Sequence, residues 1–292
     1  MPAQTLIIGC GYIGLPLALR LKDSGHRVTA WVRSAASAAS LADHSFYRII
    51  TGSVADGGAW NAVDENSDLV IHCASSGRGG AAAYEEVFFQ GARMMSERQP
   101  RARKIFVSST SVYGQTHGEV VTEESAAEPL TATGRILREA EQAALASGAT
   151  VVRSTGIYGP HRSVLFEKFR RGEAVIEGDG LRWINQIHQR DLVAALAHLV
   201  EAGAPGEIYN AADNTPVTIH DYYAWCSEFL RQPMPPRGPV NMERKRGLTS
   251  KRVSNAKLRA TGWPPEYPSF REGIIADNRT KAGGTDPSTS SG

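Results

Sequence analysis

The chain has few cysteines, almost no net charge and no long hydrophobic run, and each shortage removes a class of protein. Cys10, Cys73 and Cys226 are the only cysteines among 292 residues. They are odd in number and far apart, with no Cys-x-x-Cys spacing, which argues against a disulfide framework or a zinc site; no metal is expected. The 32 basic and 30 acidic side chains leave a formal net charge of +2, so no global field draws the chain to nucleic acid or to an anionic membrane. No apolar stretch approaches the ~20 residues that span a bilayer. The amino terminus passes straight into a strand-like run, leaving no room for a secretory signal, and the expected location is cytoplasmic.

What is present is more specific. Gly9-Cys10-Gly11-Tyr12-Ile13-Gly14 follows the apolar run Thr5-Leu6-Ile7-Ile8 and precedes the helix-like stretch 15–23. Three glycines at this spacing are weak evidence alone. With a buried-strand run entering and an amphipathic run leaving, they give the strand–turn–helix of a dinucleotide-binding fingerprint. Gly9 permits the tight turn, Gly11 lets backbone approach a pyrophosphate, and Gly14 lets helix and strand pack closely. The phosphates then face amide N–H groups at the positive end of the helix, with Tyr12 and Ile13 in the same loop.

Strand-like runs at 5–9, 27–32, 47–50, 69–73, 104–108, 150–153 and 208–210 alternate with helical patterns that include 82–97, 134–147 and 190–201. The alternation implies an α/β fold, a doubly wound parallel sheet covered on both faces, with a smaller C-terminal substrate lobe. Residues 1–155, completed by 185–215, form the expected Rossmann dinucleotide-binding domain. Residues 156–184 and 216–275 form the small lobe, and the polar, Ser/Gly-rich 276–292 forms a disordered tail.

Further segments resemble the extended, epimerase/dehydratase-type short-chain dehydrogenase/reductases, and more closely their atypical branch. They are Val70-Ile71-His72-Cys73-Ala74, Phe106-Val107-Ser108-Ser109-Thr110-Ser111-Val112-Tyr113-Gly114, Val152-Arg153-Ser154-Thr155-Gly156-Ile157-Tyr158-Gly159-Pro160, Ile187-His188-Gln189-Arg190-Asp191-Leu192 and Ile208-Tyr209-Asn210-Ala211-Ala212. The resemblance runs over about residues 4 to 276 in the family's order. It is specific for the fold and much less so for the reaction. It implies a nicotinamide cofactor, with Ala74 and Ser108 at strand ends beside the glycine loop. It also implies a homodimer, because helices flanking the sheet often pair two subunits in that family.

An acidic residue near the end of the second strand holds the ribose 2′-hydroxyl of NAD in such folds, whereas an arginine accommodates the 2′-phosphate of NADP. Here the strand ends Trp31-Val32-Arg33-Ser34, with Arg33 able to pair bidentately with a phosphate and Ser34 able to donate a hydrogen bond. The expected cofactor is therefore NADP rather than NAD.

The catalytic pattern departs from the resemblance. The family works with a serine and a Tyr-x-x-x-Lys pair, in which the lysine lowers the tyrosine pKa for proton exchange during hydride transfer. Ser109 matches the serine. In Pro129-Leu130-Thr131-Ala132-Thr133-Gly134-Arg135-Ile136-Leu137, Thr133 stands where tyrosine belongs and Leu137 where lysine belongs. Another side chain supplies the proton, the reaction is altered, or the protein binds cofactor without turning it over. Tyr113, His188 and Tyr158 are the candidate substitutes, with ordered water a fourth source.

Ligands in open α/β sheets bind beyond the carboxyl ends of the strands. Arg78 after the fourth strand, and His161 and Arg162 after the sixth, are placed to grip a carboxylate or phosphate, with Tyr158 and Asn185 nearby. The basic run Arg244-Lys245-Arg246, Lys251-Arg252, Lys257 and Arg259 lacks interleaved aromatics. It is taken as a surface run rather than a nucleic-acid patch. The resulting expectation is an NADP(H)-dependent oxidoreductase or epimerase-like enzyme acting on a small anionic or nucleotide-sugar-type metabolite. The alternative is an inactive cofactor-sensing or scaffold protein.

Overall fold

The computed structural model describes residues 1–64, 66–77, 79–241 and 247–283. Seven strands build the main sheet: β1 Gln4–Ile8, β2 Arg27–Val32, β3 Arg48–Thr51, β4 Leu69–His72, β5 Arg103–Ser109, β6 Thr150–Ser154 and β7 Ile208–Ala211. Their spatial order is β7-β6-β5-β4-β1-β2-β3, and every neighbouring pair is parallel. The chain runs outward from β1 through β2 to β3, then returns to place β4 on the other side of β1. That reversal opens a crevice between the carboxyl ends of β1 and β4.

The strands lack polar alternation because both faces are covered. Ile7, Ile71, Ile105 and Val152 enter one core, beneath helices Gly14–Asp23 and Gln189–Ala202. Leu6, Ile8, Val70, Phe106 and Val151 enter the other, which also takes Leu137, Ala140 and Ala144 from helix Ala132–Ala146. The expected helix at 82–97 forms with a wider π-type stretch at Glu85–Gln90, between Ala81–Tyr84 and Gly91–Arg98. A third core lies over the sheet's carboxyl end and gathers Phe166, Phe169, Tyr222, Tyr223, Phe270 and Ile274 among others.

Helix Phe270–Gly283 corrects one expectation. The chain beyond Ala276 does not become a tail at once but continues the helix to Gly283. Phe270 and Ile274 bury against the third core, so packing decides where polar composition misleads. Residues 284–292 lie outside the described residues, as does Arg244-Lys245-Arg246. Among the described residues no helix is long and apolar enough to cross a membrane.

A buried ion pair ties helix Ala132–Ala146 to β6. Glu141 accepts from Arg153 Nε at 3.0 Å and Nη2 at 2.7 Å, and from Ser108 Oγ at 2.6 Å. Both members of the pair are fully enclosed, Glu141 at 0% exposure and Arg153 at 1%. Removing one charge leaves the other without a partner in low dielectric. Glu141→Ala is therefore expected to destabilise the fold by about 3–5 kcal/mol, seen as a lowered urea midpoint.

Candidate functional site

The glycine loop is built by close approach. Gly9 has φ +93°, and a Cβ there would lie 2.3 Å from Ala74 Cα, at the crevice between β1 and β4. A Cβ on Gly14 would lie 2.2 Å from the Gly9 carbonyl oxygen, so the helix can start only above a glycine. Around Gly11 nothing would come within 4 Å of a Cβ, leaving backbone open to the cleft. The Gly9 and Cys10 amides both donate to the Trp31 carbonyl, at 2.9 and 3.0 Å, which binds the loop to β2. Helix Gly14–Asp23 has no side-chain cap and no acidic residue in its first turn. In its first turn the Leu15 amide donates to the Gly11 carbonyl at 2.9 Å and Pro16 has no N–H, so the Gly14 amide is the one the helix start offers to water or to a ligand of negative charge. Cys10 is buried and its thiol is pushed up to about 12 by burial, with no counter-charge. It is a packing residue.

The loop opens on a cleft of about 1180 Å³, lined by Gly9 to Ile13, Ala74, Ser108 and Ser109 and extending to Arg162, Asn185 and Lys251. Arg33 lines it at the end of β2, exposed. Ser34 is placed differently from expectation: its hydroxyl accepts from the Ser37 amide and caps the short helix Ala35–Ala39. Ser37 takes its place in the cleft wall. Ser108 reaches the cleft wall, yet its hydroxyl donates to Glu141 within the buried network.

Ser109 ends β5 at the cleft, and its hydroxyl accepts from the Ser111 amide at 3.2 Å, opening a short 3₁₀ turn, Thr110–Val112. Thr133 and Leu137 line the same space. Tyr113 and His188 do not reach that space. Tyr113 is 0% exposed, and its hydroxyl accepts from Arg153 Nη1 at 2.8 Å and contacts the Thr122 carbonyl at 2.9 Å and Asn210 Oδ1 at 3.0 Å. Burial raises its pKa, so this phenol is a structural acceptor rather than a proton donor to substrate.

His188 is likewise buried. Its Nδ1 accepts from the Arg190 amide at 3.2 Å, capping helix Gln189–Ala202, which leaves Nε2–H to donate to Asp277 at 3.4 Å. Burial lowers its pKa, with Asp277 opposing. It fastens the last helix to strand Gln186–His188, which pairs with Gly156–Tyr158 apart from the main sheet, and it is not among the residues lining the cleft. Tyr158 shares the cleft wall, but its hydroxyl donates to the Ser269 carbonyl at 3.3 Å and burial raises its pKa.

Of the expected anion-gripping residues, Arg78 lies outside the described residues. His161 sits at φ +62° on an exposed turn outside the main cleft. Arg162 does line the cleft, its guanidinium 5.0 Å above the ring of Tyr12, whose hydroxyl donates to the Pro160 carbonyl. Asn185 lines it with both ends of its amide engaged: Nδ2 donates to the Lys251 carbonyl at 2.8 Å and Oδ1 accepts from the Val253 amide at 2.7 Å.

One cleft residue escaped the motifs. Lys251 begins strand Lys251–Val253, only 5% exposed, and burial pulls its pKa down to about 8. Its one sequence signal is the alternation Lys251-Arg252-Val253, which puts Lys251 on the side of apolar Val253 and Arg252 on the other.

Tyr113→Phe separates the structural role from a catalytic one. Loss of the hydroxyl deprives buried Arg153 of an acceptor, so stability should fall by about 1–3 kcal/mol in denaturant titration, with the cleft unchanged.

The family model for the NAD dependent epimerase/dehydratase family matches residues 5–212. Protein YeeZ of Escherichia coli K12 is 29% identical over 219 residues, 71% of this chain and 76% of its own length. A Methylobacillus flagellatus structure provisionally assigned as an NAD-dependent epimerase/dehydratase is 26% identical with a TM-score of 0.79, covering 97% of this chain and 100% of that one. The UDP-glucuronic acid 4-epimerase of Bacillus cereus, solved with UDP-glucuronic acid and NAD, is 17% identical and shares the fold at a TM-score of 0.77, over 94% and 98% of the two chains. With the family model spanning the sheet from β1 to β7 and the glycine loop at its reversal point, the chain belongs to the NAD-dependent epimerase/dehydratase family.

Proposed function

We propose that this chain is an NADP(H)-dependent oxidoreductase or epimerase-like enzyme acting on a small anionic or nucleotide-sugar-type metabolite. The observation that carries the cofactor is the set of elements around Gly11: open backbone, an uncapped helix start and Arg33 on one cleft wall, with no carboxylate at the end of β2. These fit a dinucleotide bearing a 2′-phosphate, because a guanidinium forms charge-assisted bonds to phosphate that a ribose hydroxyl does not match. When bound, a nicotinamide supplies or accepts hydride.

The cleft supports a second ligand beside the cofactor. Its 1180 Å³ slightly exceeds the about 300–1,000 Å³ of ordinary ligand pockets, and it continues past Ser109 into the small lobe, where Arg162, Lys168 and Arg182 line it. Those cations suit a carboxylate or a diphosphate. Ser109 is available to orient a substrate oxygen. The nucleotide-sugar complex of the Bacillus cereus epimerase supports the same substrate class at the level of the fold.

Calorimetry on cofactor-stripped protein tests the reading. NADPH should bind at least tenfold more tightly than NADH, and Arg33→Ala should erase that difference while leaving NADH affinity nearly unchanged. Equal or tighter binding of NADH would overturn the NADP preference. Substrate-dependent loss of nicotinamide absorbance across a panel of carbonyl compounds and nucleotide sugars supports the enzyme. A partner captured only with cofactor, together with no turnover, would instead establish a sensor.

A further inference from the structure

The replacement of tyrosine by Thr133 and of lysine by Leu137 leaves the cleft without its usual acid, and Tyr113, Tyr158 and His188 are each engaged elsewhere. Lys251 is a further titratable side chain on the cleft wall, and it is enclosed. Its Nζ donates to the Tyr113 carbonyl at 3.1 Å and to Thr249 Oγ1 at 2.7 Å. Both acceptors are neutral, and an ammonium has three N–H groups. Among the described residues no carboxylate forms an ion pair with Lys251. A cation enclosed in this way is held at a cost, and that cost falls when it gives up its proton.

Its position is fixed by three separate segments. Strand Lys251–Val253 pairs with strand Glu119–Val121, and Asn185 clamps it by accepting from one amide and donating to one carbonyl. The Tyr113 carbonyl that receives Nζ belongs to the residue whose amide closes, onto the Thr110 carbonyl, the 3₁₀ turn that Ser109 opens. Ser109 and Lys251 thus flank one short 3₁₀ turn, Ser109 at its start and Lys251 bonded to the carbonyl at its end, and both line the same cleft.

We propose that Lys251 is the acid–base group of this cleft, giving a proton to the substrate oxygen in reduction and taking it back in oxidation. This rests on the hydride-transfer reading above. In reduction the carbonyl carbon takes the hydride, an N–H bond of the Lys251 ammonium breaks as the O–H bond of the alcohol forms, and the nitrogen keeps the electron pair. The neutral amine then recovers a proton from water. Oxidation runs the same exchange backwards.

The surroundings keep the titration simple. Glu119, the cross-strand partner, is held ionised by its own backbone amide and then by that of His117, and favours the ammonium from a distance. Arg252 is turned to the Gly118 carbonyl and lies 5.2 Å from the Trp183 ring centroid. Tyr113 is a neutral phenol in this range, while Asn185 and Thr249 do not titrate.

Lysine ¹³Cε NMR on cofactor-free protein gives a readout that needs no turnover: one lysine should titrate near pH 8, and its signal should vanish in Lys251→Arg. With an active substrate, kcat for reduction should fall as pH rises through about 8, because the ammonium is the competent form. Lys251→Met should lower kcat at pH 7 by roughly 100-fold or more. Lys251→Arg, which keeps the charge but cannot release the proton, should be similarly slow and should lose the limb near pH 8. NADPH affinity should be unchanged in both variants.

Full activity in Lys251→Arg, or a raised KM with unchanged kcat in Lys251→Met, would show an anion anchor and overturn the proposal. No lysine titrating below pH 9.5 would also overturn it. A failure of the hydride-transfer reading is visible separately, since wild-type protein would then bind no dinucleotide or turn over nothing on the panel, and the proton role would fall with it.

Discussion

At the reversal point of the sheet there is no space for a side chain. Gly9 lies against Ala74, and Gly14 lies against the Gly9 carbonyl, so the ends of β1 and β4 and the start of the first helix are pressed into one plane of contact. The rest of the site depends on this closeness, because it starts the helix immediately beyond β1 and sets its uncapped first turn beside the crevice. The loop is held by three strands: covalently by β1, through the Trp31 carbonyl of β2, and by contact with Cys73 and Ala74, which follow β4. A fourth tie runs from Tyr12 to the segment after β6, through its hydroxyl to Pro160 and its carbonyl from Gln189. A loop so constrained is ordered before any ligand arrives, which spares a ligand the entropy of ordering it.

The sheet was legible because a strand buried on both faces announces itself as an unbroken apolar run. The 27–32 run coincides with β2, and the other six agree within two residues at either end. The glycine loop was legible because its spacing has a steric cause. Side-chain direction was not. Tyr113 and Ser109 lie four residues apart in one motif, yet the 3₁₀ turn between them sends the serine to the cleft and the phenol into the core. His188 looked available because no local pattern records that Asp277, 89 residues on, would meet its Nε2. Lys251 was hidden for the opposite reason, since a lysine amid other cations resembles a solvated run until its strand is paired and Asn185 covers it.

The loss of the Tyr-x-x-x-Lys pair has a physical counterpart on the same helix. Leu137 and Glu141 stand four residues apart, on one face, and Glu141 is drawn wholly inward to Arg153. Arg138 already shares that carboxylate from the helix at 3.1 Å, and a lysine at 137 would add a third cation beside it. Leucine there keeps the pair intact and joins the apolar core. The network also explains why Tyr113 is unavailable: its hydroxyl completes the hydrogen bonding of a guanidinium that is 1% exposed. The helix that bears the catalytic pair in the family pattern thus serves here as a wall and an anchor.

Moving proton chemistry from that helix to strand Lys251–Val253 changes what the chemistry depends on. Two groups on one helix keep their spacing wherever the helix goes. Lys251 keeps its spacing to Ser109 only while residues around 113, 119, 185 and 251 remain packed together, contacts that join segments up to 138 residues apart in sequence. Local opening of this segment would displace the ammonium and uncover part of the core that Val121 and Val253 share with Leu6, Ile8 and Val70, while the glycine loop keeps its own ties to β1, β2 and Ala74. On the proposed function, dinucleotide binding and proton transfer rest on different contacts, the first on the glycine loop and the second on the pairing of strand Lys251–Val253, and the cleft joins them.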